Sequence, residues 1–302
     1  MHPQHVAVLL LGAFATSCAD GINIPTRTIA PGVEMPVISI GTWLSSKGED
    51  AYTIVSNWLK LGGRGIDSAL IYFDQKSVAK AISDAGLTRA DVFITSKVPA
   101  CATDPYLTKR AVQADLHALG TEYIDLLLIH APLGVGCRTT WHVLEDLHLN
   151  GTLRSIGVSN FGAGPFFRTL EKLCGREQDE CKVPIALNQI DYNVFKHDET
   201  TIRYCREHNI TVQAYSPLGG TKSTHSVFHD QTVLAIAKQH NVTAAQVALR
   251  WIVQRGDILT VLSGSSAHQA ADARLWTFAL APDEMNALDH LKNVVEEEEV
   301  ER

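Results

Sequence analysis

Much that would place this sequence at once is absent from it. Its 302 residues hold six cysteines but no Cys-x-x-Cys pair, which argues against a zinc or thioredoxin-like centre. No basic stripe runs through the chain. The formal net charge is −7 and the pI is near 6.0, so nucleic acid is an unsuitable partner. Methionine is scarce, at three, and the aromatics are scattered, which leaves no amphipathic membrane helix beyond the leader. The leading apolar run at 6–15 falls well short of the ~20 residues that span a bilayer. The first strand of the body ends Gly41-Thr42-Trp43 with no Gly-rich phosphate loop, which disfavours a doubly wound nucleotide fold.

What is present begins with a leader. The run at 6–15, followed by Thr16-Ser17-Cys18-Ala19-Asp20, has the form of a secretory signal cleaved after Ala19. Its first residues carry His2 and His5 in place of Lys or Arg. A buried N-terminal strand is the alternative. The expectation is a leader over 1–19, one domain over 20–302, and a place in the secretory pathway; an uncleaved leader would leave the protein cytoplasmic. An oxidising compartment would suit two disulfides, Cys101–Cys137 and Cys174–Cys181, with Cys205 free; scattered reduced thiols are the alternative. Asn150, Asn209 and Asn241 open N-x-Thr sequons and are candidate glycosylation sites. The acidic run at 296–299 reads as a solvated tail.

The body alternates. Residues 26–38 read as a hairpin about Ala30-Pro31-Gly32. Apolar strands follow at 37–43, 65–69, 92–98, 124–130, 155–160, 185–190, 211–216 and 258–262. Segments of helical period lie between them, at 49–61, 75–85, 104–119, 139–149, 164–173 and 198–207. A pair follows at 230–240 and 243–254, then helices at 266–276 and 283–291. Eight strands, each followed by helix, predict a parallel sheet covered on its outer face. Eight such units close into a (β/α)8 TIM barrel, here with an N-terminal β-hairpin.

Three strands in succession end in ionisable residues: Asp67, Lys97 and His130. Tyr72 follows Asp67 by five positions. An acid at the mouth of a buried strand needs a partner. In a barrel the C-terminal strand ends converge on one face, so the four would meet there. Lys97 would lower the Tyr72 pKa, Asp67 would hold Lys97 charged and placed, and His130 would orient a carbonyl oxygen. Tyr72 would then protonate a developing alkoxide. That assembly suits carbonyl reduction, with the hydride supplied by a bound cofactor. His225 and His229 have a metal-like spacing, but no carboxylate motif accompanies them and the stretch reads as loop, so no metal is expected.

The chain resembles the aldo-keto reductases. The resemblance rests on GVEMPVISIGTW at 32–43, IDSALIY at 66–72, VFITSKV at 92–98, IDLLLIH at 124–130, GTLRSIGVSNF at 151–161, LNQIDYNVF at 187–195 and AYSPLGG at 214–220. It implies the barrel and NAD(P)(H)-dependent reduction of aldehydes and ketones, with a catalytic tetrad at Asp67, Tyr72, Lys97 and His130. It implies that Ser159, Asn160 and Gln189 hold the nicotinamide carboxamide and that Tyr215 stacks on the ring. Ser216, Leu218 and Gly219 would line the pyrophosphate, and Ser265 would contact the nucleotide. Trp43 would form one wall of the substrate pocket, and Ala131, where the family often has an aromatic, would leave that side roomier. A small carbonyl compound is the implied partner, and a monomer the implied state.

The departures fall at the nucleotide end. The family's Pro-Lys-Ser stretch and following Arg bind the 2′-phosphate of NADPH; here Gly264 stands for the Lys and Ala270 for the Arg. Two charge-assisted contacts would be missing. NADP(H) is the family's default, and these replacements admit NAD(H). Phe73-Asp74-Gln75 also replaces a common Gly-Asn-Glu run, so a buried Glu is absent. Two other readings stay open at this stage: a non-redox acid-base reaction by the same tetrad, or a binding protein on this scaffold.

Overall fold

The computed structural model describes residues 22–43, 50–163, 173, 181–219 and 226–291. The chain opens with the expected hairpin. Strands β1 (Thr26–Ala30) and β2 (Val33–Pro36) pair antiparallel across the Pro31-Gly32 turn. Eight parallel strands then close a barrel: β3 (Ile38–Gly41), β4 (Gly65–Asp67), β5 (Phe93–Val98), β6 (Leu126–Ile129), β7 (Ile156–Ser159), β8 (Leu187–Asp191), β9 (Thr211–Tyr215) and β10 (Ile258–Val261). Each pairs with its sequence neighbour, and β10 pairs with β3 to close the ring.

The helices of the described residues are α1 (Ala51–Lys60), α2 (Gln75–Asp84), α3 (Pro105–Leu119), α4 (Cys137–Leu149), α5 (Glu199–Glu207), α6 (Gln231–His240), α7 (Ala244–Gln254), α8 (Ser266–Asp272) and α9 (Pro282–Asp289). Their starts follow capping chemistry. Asp50, Asp104, Asp198, Asp230 and Thr243 each accept a backbone N–H of the first turn. Such caps are worth about 1 kcal/mol each. The expected helix over 266–276 stops at Asp272 and resumes as a 3-10 turn at Leu275–Thr277. The leader, Cys18, Cys174, His225, the acidic tail and nearly all of the expected helix over 164–173 lie outside the described residues.

Two apolar clusters hold the barrel. The larger packs helices onto strands and contains the fully buried Trp58, Trp141 and Trp251. The smaller joins Ile29, Val33 and Met35 of the hairpin to Phe93, Leu126, Leu187 and Ile258, which begin four barrel strands. The hairpin therefore plugs the N-terminal end. Each fully buried side chain of this kind contributes about 1.5–3 kcal/mol. With one end plugged, solvent reaches the barrel axis from the C-terminal strand ends.

Candidate active site

Strand register brings the ionisable residues together. Asp67 pairs with Thr95 across β4 and β5, and Lys97 lies two residues beyond, on the same face. The Lys97 ammonium forms a buried ion pair with Asp67 Oδ1 and donates to the Ser68 carbonyl at 2.9 Å. Gln189 Nε2 donates to the other Asp67 oxygen at 2.7 Å and to Gln213 Oε1 at 2.8 Å. Both oxygens of Asp67 are thus engaged, which is what a buried carboxylate needs. His130 follows β6, anchored by its N–H to the Val98 carbonyl at 3.0 Å. Tyr72 ends a 3-10 turn, Leu70–Tyr72, that carries its ring back over the strand ends.

The four meet as expected. The Lys97 ammonium lies 5.4 Å from the Tyr72 ring centroid, and the His130 ring stands edge-on to that of Tyr72 at 5.8 Å. Trp43 packs on the other side of Tyr72 at 4.8 Å between centroids. One expectation fails. Burial, and then the charges of Asp67 and Asp74, hold the Tyr72 hydroxyl well above its ordinary range. The Lys97 charge, paired with Asp67, does not outweigh them. Burial and the Lys97 charge also push His130 down to about 4. Its imidazole is neutral at pH 7.

A second layer lies behind Lys97. Ser68 Oγ donates to Asp74 Oδ1 at 2.7 Å, and Gln75 Nε2 donates to the Ala69 carbonyl at 2.7 Å. Asp115 of α3 is buried beside Ser96 and Gln75, and burial pushes its carboxyl up to about 6.

Most of the remaining expected residues surround a cleft of about 750 Å³. Ser159 Oγ donates to the Gln189 carbonyl at 3.0 Å. Asn160 Nδ2 donates to the His130 carbonyl at 3.0 Å, and Tyr215 donates its hydroxyl to Asn160 Oδ1 at 2.7 Å. Asn160, Ser216 and Phe73 adopt positive φ, at 63°, 50° and 57°, all at this mouth. Such backbone costs about 1–3 kcal/mol per residue and persists where neighbours enforce it. Leu218 and Gly219 line the cleft after β9. Ala131 is half-buried beyond His130 and is not part of the cleft wall.

A disulfide pins the rim. Cys101 and Cys137 are bonded with Cα atoms 4.4 Å apart, one of the two pairings the sequence left open. The Cys101 N–H also donates to the Leu133 carbonyl at 3.0 Å. The loop after β5 and the loop after His130 are therefore joined. Cys205 is free and buried, its thiol pushed up to about 11 by burial. Among the described residues no group of three metal-ligating side chains comes together.

The family model for the Aldo/keto reductase family matches residues 37–293. The chain belongs to the aldo/keto reductase family. A 9,11-endoperoxide prostaglandin H2 reductase from Trypanosoma cruzi is 31% identical over 269 residues, covering 89% of this chain and 92% of its own length. A glyoxal reductase from Bacillus subtilis is 32% identical over 261 residues, covering 86% and 90%. The crystal structure of an aldo/keto reductase from Brucella melitensis superposes with a TM-score of 0.80 at 32% identity, covering 89% of this chain and all of that one. That of a Bombyx mori aldo-keto reductase in complex with NADP gives 0.80 at 28% identity, covering 90% and 94%.

The residues present in this reductase fit a nicotinamide dinucleotide at the catalytic end. The amide and hydroxyl groups of Ser159, Asn160 and Gln189 gather at strand ends beside the Tyr215 ring. The nucleotide end differs from expectation. Ser265 is exposed and caps α8 by accepting the His268 N–H at 3.4 Å; it does not line the cleft. Ser263 does. Gly264 and Ala270 are also off the wall, and α8 turns His268, Ala271 and Asp272 toward the cleft instead. Sequence reasoning missed Asp272, Asp115 and Gln213. An acid set among alanines in α8 was the one available signal for Asp272.

Proposed function

We propose that this chain reduces a small aldehyde or ketone to the alcohol, with Tyr72 as the proton donor at the carbonyl oxygen. Support comes from the ring of contacts that places Tyr72, Lys97, Asp67 and His130 at one mouth. When bound, a nicotinamide dinucleotide supplies the hydride. Ser159, Asn160 and Gln189 would hold its carboxamide, and Ser216, Leu218 and Gly219 would flank its pyrophosphate.

The roles follow from the electrostatics. Tyr72, raised by burial, keeps its proton across the physiological range and so serves as an acid rather than a base. The neutral His130 imidazole offers one N–H to the substrate oxygen and does not compete as a proton source. As the phenol gives up its proton, the nearby Lys97 charge gains value, and Asp67 keeps that charge fixed. Trp43 and Ile71 supply apolar wall on the substrate side. Leu133 and Val135 stand exposed on the loop beyond His130, so an apolar body behind the carbonyl suits the mouth.

The test is Tyr72→Phe. Reduction should fall ~10²–10⁴-fold, the usual contribution of a positioned acid, while nucleotide binding is retained. Unchanged turnover would remove Tyr72 from the mechanism. An oxidising, secretory compartment suits the Cys101–Cys137 bond. Free thiols at both positions in protein taken from its native source would argue against that location.

A further inference from the structure

The cleft continues past the strand ends to α8, where Asp272 closes it. Asp272 is 6% exposed, and no hydrogen bond or ion pair reaches its carboxylate among the described residues. Burial alone pushes it up, to about 7. An orphaned carboxylate facing a binding cleft is free to accept from donors of a ligand. Among the described residues that line the cleft there is no Lys or Arg; His268 is the one other ionisable group on the α8 side. This wall therefore presents an acceptor and a neighbouring imidazole, and no cationic clamp.

Resting on the reading that the cleft holds a nicotinamide dinucleotide, we infer that Asp272 selects the cofactor lacking a 2′-phosphate, namely NAD(H). The ribose hydroxyls and the adenine amino group are donors. A carboxylate at the adenosine end of a dinucleotide site accepts from hydroxyls and repels a phosphate dianion. Asp272 is itself 6% exposed, so solvent screens that repulsion less than it would at the surface. Gly264 and Ala270 stand where the family's 2′-phosphate clamp is expected, and among the described cleft residues the α8 wall carries Asp272 and no Lys or Arg.

Titration of the wild-type protein with NADH and with NADPH at pH 8, followed by quenching of tryptophan fluorescence, tests this without requiring turnover. NADH should bind at least ~10-fold tighter than NADPH. In Asp272→Asn, and in Asp272→Ala, the preference should shrink by about tenfold, chiefly because NADPH tightens. That fold-change is the size that loss of one close like-charge contact produces. Tighter NADPH binding by the wild type would overturn the inference, as would an unchanged NADH-to-NADPH ratio in both variants. Failure of both nucleotides to bind at millimolar concentration would instead sink the reductase reading itself. The wild-type ratio stands as a test even if a variant fails to fold.

Discussion

Asn at position 272 should stabilise this protein, and by an amount that depends on pH. Asp272→Asn keeps the side-chain shape and removes the charge. Burial holds the wild-type carboxyl at about 7, against 3.8 ordinarily. The folded value lies above the unfolded one, so between these limits the folded chain binds more protons. Stability therefore falls as pH rises through that window and levels off above about 7. Three pH units at 1.36 kcal/mol each give a penalty of about 4 kcal/mol at pH 8. At pH 5 only about 1.5 kcal/mol has developed. The Asn variant carries no such term, so its advantage should widen by about 2.5 kcal/mol from pH 5 to pH 8. For a domain of this size that is roughly 5 °C in melting temperature. Differential scanning calorimetry of both proteins, without nucleotide, at pH 5, 6, 7 and 8 measures it. A difference in Tm that stays constant over this range would show that the carboxylate is solvated or partnered, and would remove the physical basis for cofactor selection by charge.

Two further outcomes concern the catalytic layer. Lys97→Met leaves Asp67 buried without its cation; urea unfolding at pH 7 should show a loss of about 3–5 kcal/mol, and a loss below about 1 kcal/mol would mean the pair is dispensable to the fold. With saturating substrate and cofactor, kcat for reduction should be flat from pH 7 to 9, because His130 titrates near 4 and Tyr72 far above that range; an inflection near 8 would point to a different proton donor.

The barrel was legible because each strand is an apolar run and three of them stop at an ionisable residue. Asp67, Lys97 and His130 announce a shared mouth without any knowledge of packing, and the structure brings them together. The hairpin was legible from Pro31-Gly32 for the same local reason. What was not legible depends on how elements pack. Asp115 lies on an amphipathic helix whose sequence does not mark which polar residue turns inward. Asp272 is buried where α8 packs beside α1 and α7, which no local pattern encodes. Ser265 matched the family by position, yet its hydroxyl is used as a helix cap. The direction of the Tyr72 shift required weighing Asp67 and Asp74 against Lys97, and that balance follows from distances and burial rather than from residue types.

The Cys101–Cys137 bond turns two loops into one cassette. In a barrel, loops after successive strands can ordinarily be exchanged one at a time. Here Gly136 adjoins the bond with φ at +100°, and a side chain there would come within 2.6 Å of the Ala102 carbonyl. Lengthening either loop would displace the other, and with it the backbone beside His130. A designer who wants a new substrate mouth on this barrel must transplant both loops together, or unstaple them with serines first.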